Sequence, residues 1–253
     1  MTVADVFALL ERDYPVSTAC DFDNCGILLG DPSETVRGIT VALDCDTAAL
    51  QTAQKNGCNL IVTHHPVIFG GVKSVTADSL CYQLLAAGIS VISMHTNLDA
   101  GAGGVNDCLC NAIGLTAVEP FAAADGFLLR RGFIAPCTAA EFAAHISAKL
   151  GGFVRFADGG KAISRVLVCS GSGSDCLAEV FNADCDALLT AEVKHHLFLQ
   201  AAADGISLFD GGHFETENIA MEPLAQKIRA AFPEIPLVTH LSSVVKQFIF
   251  STP

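Results

Sequence analysis

Short apolar runs, several rich in β-branched residues, alternate along this chain with helical stretches that end in glycine, and that alternation is what most restricts its fold. Residues 38–44 (GITVALD) read as a buried strand, 47–57 as a helix closed by Gly57, and 59–63 (NLIVT) as a second strand. A helix over 77–88, ending at Gly88, and a strand over 89–94 repeat the pattern. Ahead of them, apolar residues at helical spacing predict a helix over 3–12, stopped before Pro15. Strand and helix in alternation with short connections predict an α/β fold with largely parallel sheets, in which ligands gather beyond the carboxyl ends of the strands.

A second cycle begins near residue 127, after the turn-like 122–126 (AAADG). It holds a helix over 138–150, a strand over 165–170, a helix over 175–182 and a strand over 186–190. The two cycles resemble one another. NLIVT before His64 parallels DALLT before Ala191, and 84–93 (LLAAGISVIS) parallels 201–210 (AAADGISLFD). Each member of the second pair precedes a histidine and acid cluster, HTNLD in one half and HFETE in the other. The expectation is an internal duplication: two similar three-layer α/β units facing each other across a cleft that collects ligands from both. Residues 1–126 plus 211–253 would form the first unit, with most of the ligands, and 127–210 the smaller second.

Composition narrows the function. The chain has 253 residues, 51% hydrophobic and 16% charged, enough to bury one large core or two smaller ones. Its apolar runs are all interrupted short of the ~18 residues a membrane helix needs. The start, MTVADVFALLER, lacks the basic opening of a secretory signal, so a cytoplasmic protein is expected. Lys and Arg total 14 against 27 Asp and Glu, a net charge of −13, which argues against nucleic acid as a partner. The 11 cysteines include no C-x-x-C pair, and Cys45, Cys58 and Cys169 sit in or beside strand-like runs as small core residues kept reduced.

Chemistry concentrates at the predicted strand ends. His64 and His65 follow a strand and precede Pro66, which disfavours helix and keeps the pair extended. Neighbouring side chains in extended chain diverge, so each imidazole can reach a different ion. Asp99 lies just past a strand and before a glycine-rich turn; alone, it would read as a loop Asp capping the next helix. His213 and Glu217 stand four apart, on one helical face, after Gly211 and Gly212. Together, three imidazoles and two carboxylates suit two divalent ions about 3.5–4 Å apart. Zn, Fe, Mn, Co and Ni all accept such ligands.

The motifs DFDNCG (21–26), THHPVIF (63–69), HTNLDAGAGGVND (95–107) and GGHFETE (211–217), in this order, resemble the Nif-three-like family, whose members are named GTP cyclohydrolase I type 2 homologs. That resemblance implies the family's fold and a dinuclear site with His64 and Asp99 on one ion, His65 and His213 on the other, and Glu217 bridging. It also implies a toroidal homohexamer. Two departures stand out: Phe22 where the family usually has Trp, and Ala191 for a glycine in the TAE step, which leaves the role of Glu192 open. His195 and His196 match a family KHH element that supplies no ligand.

The function expected is a metal-dependent hydrolase whose activated water attacks a purine-nucleotide ring carbon or a phosphoester, with His95 as proton carrier. A non-catalytic hexameric metal scaffold or interacting factor is the alternative. Lys73, on the loop after THHPVIFGG, could neutralise a substrate phosphate, although a solvated lysine is the plainer reading. The 170–174 run (SGSGS) lacks the lysine of a P-loop and reads as a tight turn.

Overall fold

The computed structural model describes residues 1–245, which fall into two compact units. The first is Met1–Ala102 with Ala220–Ser243; the second is Gly103–Ile219, joined by Val244 and Val245. In chain order the strands are β1 Gly26–Leu29, β2 Ile39–Ala42, β3 Leu60–Thr63, β4 Ser90–Ser93, β5 Thr116–Ala122 and β6 Leu128–Cys137. They continue with β7 Arg155–Ala157, β8 Ile163–Val168, β9 Ala187–Thr190, β10 Ser207–Asp210 and β11 Leu237–His240.

The first unit carries a five-stranded sheet in the order β1-β4-β3-β2-β11. Its pairings are parallel except β1 against β4. Every residue of β2, β3 and β4 is buried, as expected for parallel strands covered on both faces. Helices Thr47–Lys55 and Leu80–Ala86 supply the cover on one side, where Leu50, Ala53 and Leu84 pack on Ile61 and Val91. Gly57 and Gly88 follow these helices at φ +68° and +64°, the left-handed turn that glycine takes without Cβ strain. Helix Val3–Asp13 opens on a capping box in which Thr2 and Asp5 satisfy each other's backbone amides.

The second unit carries a six-stranded sheet, β5-β6-β8-β9-β10-β7. Here the parallel part is confined to β8, β9 and β10, while the other three pairings are antiparallel. This is a mixed sheet rather than the largely parallel one expected. The long hairpin of β5 and β6 and the short β7 escape a reading tuned to strand and helix alternation. Alternate residues of the central strands serve separate cores: Val166, Val168, Leu189 and Phe209 pack with Phe142 and Ile146 of helix Ala139–Leu150. Leu167, Leu188 and Leu208 pack on the opposite face with Ala201 of helix His195–Ala203. Helices on both faces make three layers.

The unit boundary differs from the expected 1–126 plus 211–253 and 127–210. Residues 103–126 go with the second unit because β5 is hydrogen-bonded to β6, and helix Val105–Ala112 gives Leu109 and Cys110 to the core around Phe142. Residues 211–219 join them, with Ile219 packed on that core. Residues 246–253 of the expected first unit lie outside the described residues. The helix expected over 175–182 is a 3-10 turn, Ser174–Ala178, running into the short helix Glu179–Asn182. Among the described residues no helix is long and apolar enough to cross a membrane.

Candidate metal centre

In the first unit, the chain leaves β3 through His64 and His65 and leaves the neighbouring β4 through His95, so parallel pairing delivers three imidazoles to one sheet edge. Thr63 ties the exit down, its hydroxyl donating to the His65 carbonyl at 2.9 Å and lying 2.9 Å from Ser93 Oγ. Ring centroids of His64 lie 5.0 Å from those of both His65 and His95. One nitrogen from each ring lies within 4.8 Å of the others. Asp99 sits in the helix Thr96–Ala100, buried, with its Oδ1 3.6 Å from His64 Nε2. The structure thus places Asp99 inside a helix rather than in a capping loop.

Each ring is oriented through its Nδ1. His64 Nδ1 donates to the Met94 carbonyl at 3.0 Å, His65 Nδ1 to Asp44 at 2.7 Å, and His95 Nδ1 to Asp23 at 2.8 Å. A carbonyl only accepts, so the Nδ1 of His64 carries the hydrogen and a neutral ring keeps its lone pair on Nε2. That is the orientation in which second partners prepare histidines for metals. The Asp23 side chain is shielded from solvent. Burial alone would raise its carboxyl, but hydrogen bonds from His95 and from the Thr96 hydroxyl and amide outweigh that and hold it well below the ordinary range.

The second unit repeats the device. The chain leaves β9 through Ala191 and Glu192, and leaves β10 through Gly211 and Gly212 into the helix His213–Glu217. His213 and Glu217 are four apart, as His95 and Asp99 are, and each pair begins just beyond a strand parallel to its neighbour. His213 Nδ1 is 2.9 Å from Glu192 Oε1, and its Nε2 is 3.0 Å from Glu217 Oε2. Glu192 reaches this position at φ +55°, a left-handed backbone uncommon for a side chain of its kind. Glu217 is 3% exposed, although a carboxylate in a first helical turn is ordinarily solvated.

The fit to divalent ions is testable on Gly171. At φ +59° it brings backbone so near the acid that an added Cβ would lie 2.0 Å from Glu217 Oε1 and 3.4 Å from His213 Nε2. The chain keeps a side chain out of the space in front of these donors. Imidazole nitrogens and carboxylate oxygens are also the donors that intermediate divalent metals take.

Other expectations fare unevenly. Lys73 is exposed on the loop that carries Phe69, with no ion pair among the described residues. His195 and His196 are exposed at the start of helix His195–Ala203. Asp23, Asp44 and Glu192 were not predicted as orienting groups. Their only local signal is position: Asp44 ends a strand-like run and Glu192 follows DALLT, but which histidine each would meet is a matter of strand order. All 11 cysteines are thiols; Cys58 and Cys169 are buried as expected, whereas Cys45 is half-buried.

Residues 1–247 match the model of the Duf34/NIF3 (NGG1p interacting factor 3) family. The chain belongs to that family. Among curated relatives, a Campylobacter jejuni protein named GTP cyclohydrolase 1 type 2 homolog is 32% identical over 238 residues, covering 90% of this chain and 92% of that protein. A Clostridium acetobutylicum protein of the same name is 28% identical over 94% of each chain. A crystal structure of a Staphylococcus aureus hypothetical protein superposes with a TM-score of 0.91 at 27% identity, covering 98% of this chain and 99% of the other.

Proposed function

We propose that this Duf34/NIF3 protein is a dinuclear metal-dependent hydrolase, acting on a purine nucleotide or another small phosphorylated substrate. The observation that carries the reading is the anchoring of His64, His65 and His213 through Nδ1, which makes Nε2 the ring atom that would meet an ion, together with the buried carboxylates of Asp99 and Glu217. His64 and Asp99 would hold one ion, His65 and His213 the other, and Glu217 would bridge them. The names of the relatives support hydrolysis of a nucleotide; the word homolog in those names leaves the substrate to experiment.

Two divalent ions so held, whether Zn, Fe, Mn, Co or Ni, would supply a Lewis acid and a water of lowered pKa. Five protein donors shared between two ions leave positions for water and substrate, unlike structural zinc sites closed by four. His95, outside the proposed ligand set and aligned by Asp23, would take a proton from the attacking water at Nε2 and return it to the leaving group. Thr96, whose amide and hydroxyl both donate to Asp23, fixes that carboxylate so that it turns one oxygen to the ring. Lys73 would meet a substrate phosphate only by swinging in from its exposed loop. We further propose a cytoplasmic homohexamer.

The decisive experiment is metal content per chain on protein purified without chelators, followed by assay of the same sample against GTP and a panel of phosphoesters. Two ions per chain with turnover that chelation abolishes and metal restores is the expected result. Two ions without turnover on any substrate would favour the metal scaffold. Light scattering after size exclusion checks the hexamer.

A further inference from the structure

Cys169 and Cys176 lie outside the metal motifs, and their Sγ atoms stand 3.7 Å apart. Cys169 follows the end of β8 and is buried, while Cys176, in the 3-10 turn Ser174–Ala178, is half-buried. The intervening turn holds them together. Cys176 N donates to the Gly173 carbonyl, Gly173 N donates to Gly171 O and to Thr190 Oγ1, and Ala191 N donates to Gly171 O. Gly173 is placed where a Cβ would lie 2.2 Å from Cys169 Sγ, so the backbone folds directly over the buried sulfur. A disulfide needs its sulfurs about 2.05 Å apart, so the two must close on each other for the bond to form.

We propose that Cys169 and Cys176 form a peroxide-oxidisable dithiol, which closes to an intramolecular disulfide across the Ser170–Asp175 turn. The Cys176 sulfur, the more accessible of the two, attacks one oxygen of hydrogen peroxide, breaking the O–O bond, releasing water and forming a sulfenic acid. The Cys169 sulfur then attacks Cys176, forming the S–S bond and displacing hydroxide, which leaves as water with the Cys169 proton. Two thiols lose two electrons and two protons, and one peroxide yields two waters. The hydrogen bond with Cys169 lowers the Cys176 thiol below its ordinary value, against burial and the nearby Asp125, Glu179 and Asp175. By contrast, burial pushes Cys110 and Cys45 up to about 12 and Cys185 up to about 11, so those thiols are the poorer nucleophiles. The turn that would be strapped includes Gly171, the residue that stands against Glu217, so the modification lies one turn away from the acid without using it. It is independent of the hydrolase reading.

The test treats the full-length protein with hydrogen peroxide in slight molar excess and maps the tryptic peptide 166–194, which also contains Cys185. The expected result is a peptide lighter by two hydrogens in the wild type and in Cys185→Ser, unchanged in Cys176→Ser, and in Cys169→Ser an oxygen adduct on Cys176 with no two-hydrogen loss. Titratable thiols in the unfolded protein should fall by two from the original 11. Cys176→Ser, at the half-buried position, keeps the test valid if Cys169→Ser does not fold. Oxygen adducts on Cys176 of the wild type in place of the two-hydrogen loss would overturn the proposal, as would a two-hydrogen loss that survives in Cys176→Ser.

Discussion

Gly171 stands so close to Glu217 that a Cβ on it would lie 2.0 Å from the carboxylate Oε1, well inside van der Waals contact. The loop after β8 therefore bears on the buried acid with backbone alone. Gly171→Ala should force Glu217 to move, and its φ of +59° adds about 1 kcal/mol of backbone strain. The expected outcome is a folded protein with metal affinity lowered about 10–100-fold, the range seen when a ligand's support is disturbed. Competitive chelator titration measures it; unaltered affinity would mean that Glu217 takes no part in binding.

His65→Ala and Glu217→Ala test the ligand set directly. His65 is half-buried with its ring anchored on Asp44, and Glu217 is nearly fully buried in the helix His213–Glu217. Each variant should lower the metal content of a chain that still shows wild-type circular dichroism. Elemental analysis that finds the wild-type stoichiometry in both would remove the five-donor assignment.

Asp23→Asn probes the role given to His95. The amide still fills the space, but it carries no charge, and its NH2 must face either the His95 Nδ1–H or the two Thr96 donors that share Oδ2. We expect kcat to fall about 10–100-fold with KM and metal content nearly unchanged, the pattern of a group acting through another. A variant that loses metal while kcat per bound ion is preserved would instead make His95 a ligand.

Asp13 offers a pH-dependent check far from those donors. Hydrogen bonds from Arg12 and Lys227 lower its carboxyl to about 2, and Lys227 also lies over the Tyr14 ring at 4.7 Å. A carboxyl lowered on folding contributes stability that is complete above its unfolded value near 3.8 and is lost as pH falls through about 2. Lys227→Met should therefore reduce unfolding free energy by roughly 0.5–1 kcal/mol at pH 6, as for a partly exposed ion pair, and the difference should close between about pH 4 and pH 2. Urea denaturation across that range measures it; a gap that persists at pH 2 would assign the loss to packing on Tyr14 instead.

Much of the fold was legible because the central strands are buried on both faces. Residues 60–62 and 187–189 are continuous apolar runs, and such runs in alternation with helices leave few arrangements other than parallel strands. β5, β6 and β7 were not legible for the opposite reason. β5 is largely exposed and includes Pro120, and β7 is three residues long, so neither has a periodic apolar pattern. The pairing of β7 with β10 also depends on a partner distant in the chain. The candidate donors were legible because His64, His65, Asp99, His213 and Glu217 follow strand ends or stand four apart on a helix, and both relations are local.

Local periodicity and spacing in the sequence by itself determined the α/β class, the repeated strand, histidine and acid pattern of the two halves, and the residue types available to a metal. Only the tertiary structure decided which acid orients which imidazole: Asp23 for His95, Asp44 for His65, Glu192 for His213. It also decided that Gly171 must be backbone without a side chain before Glu217. The reason is physical: a spacing of four is written in the helix repeat, whereas a hydrogen bond across 72 residues exists only once sheet order brings two strand ends together.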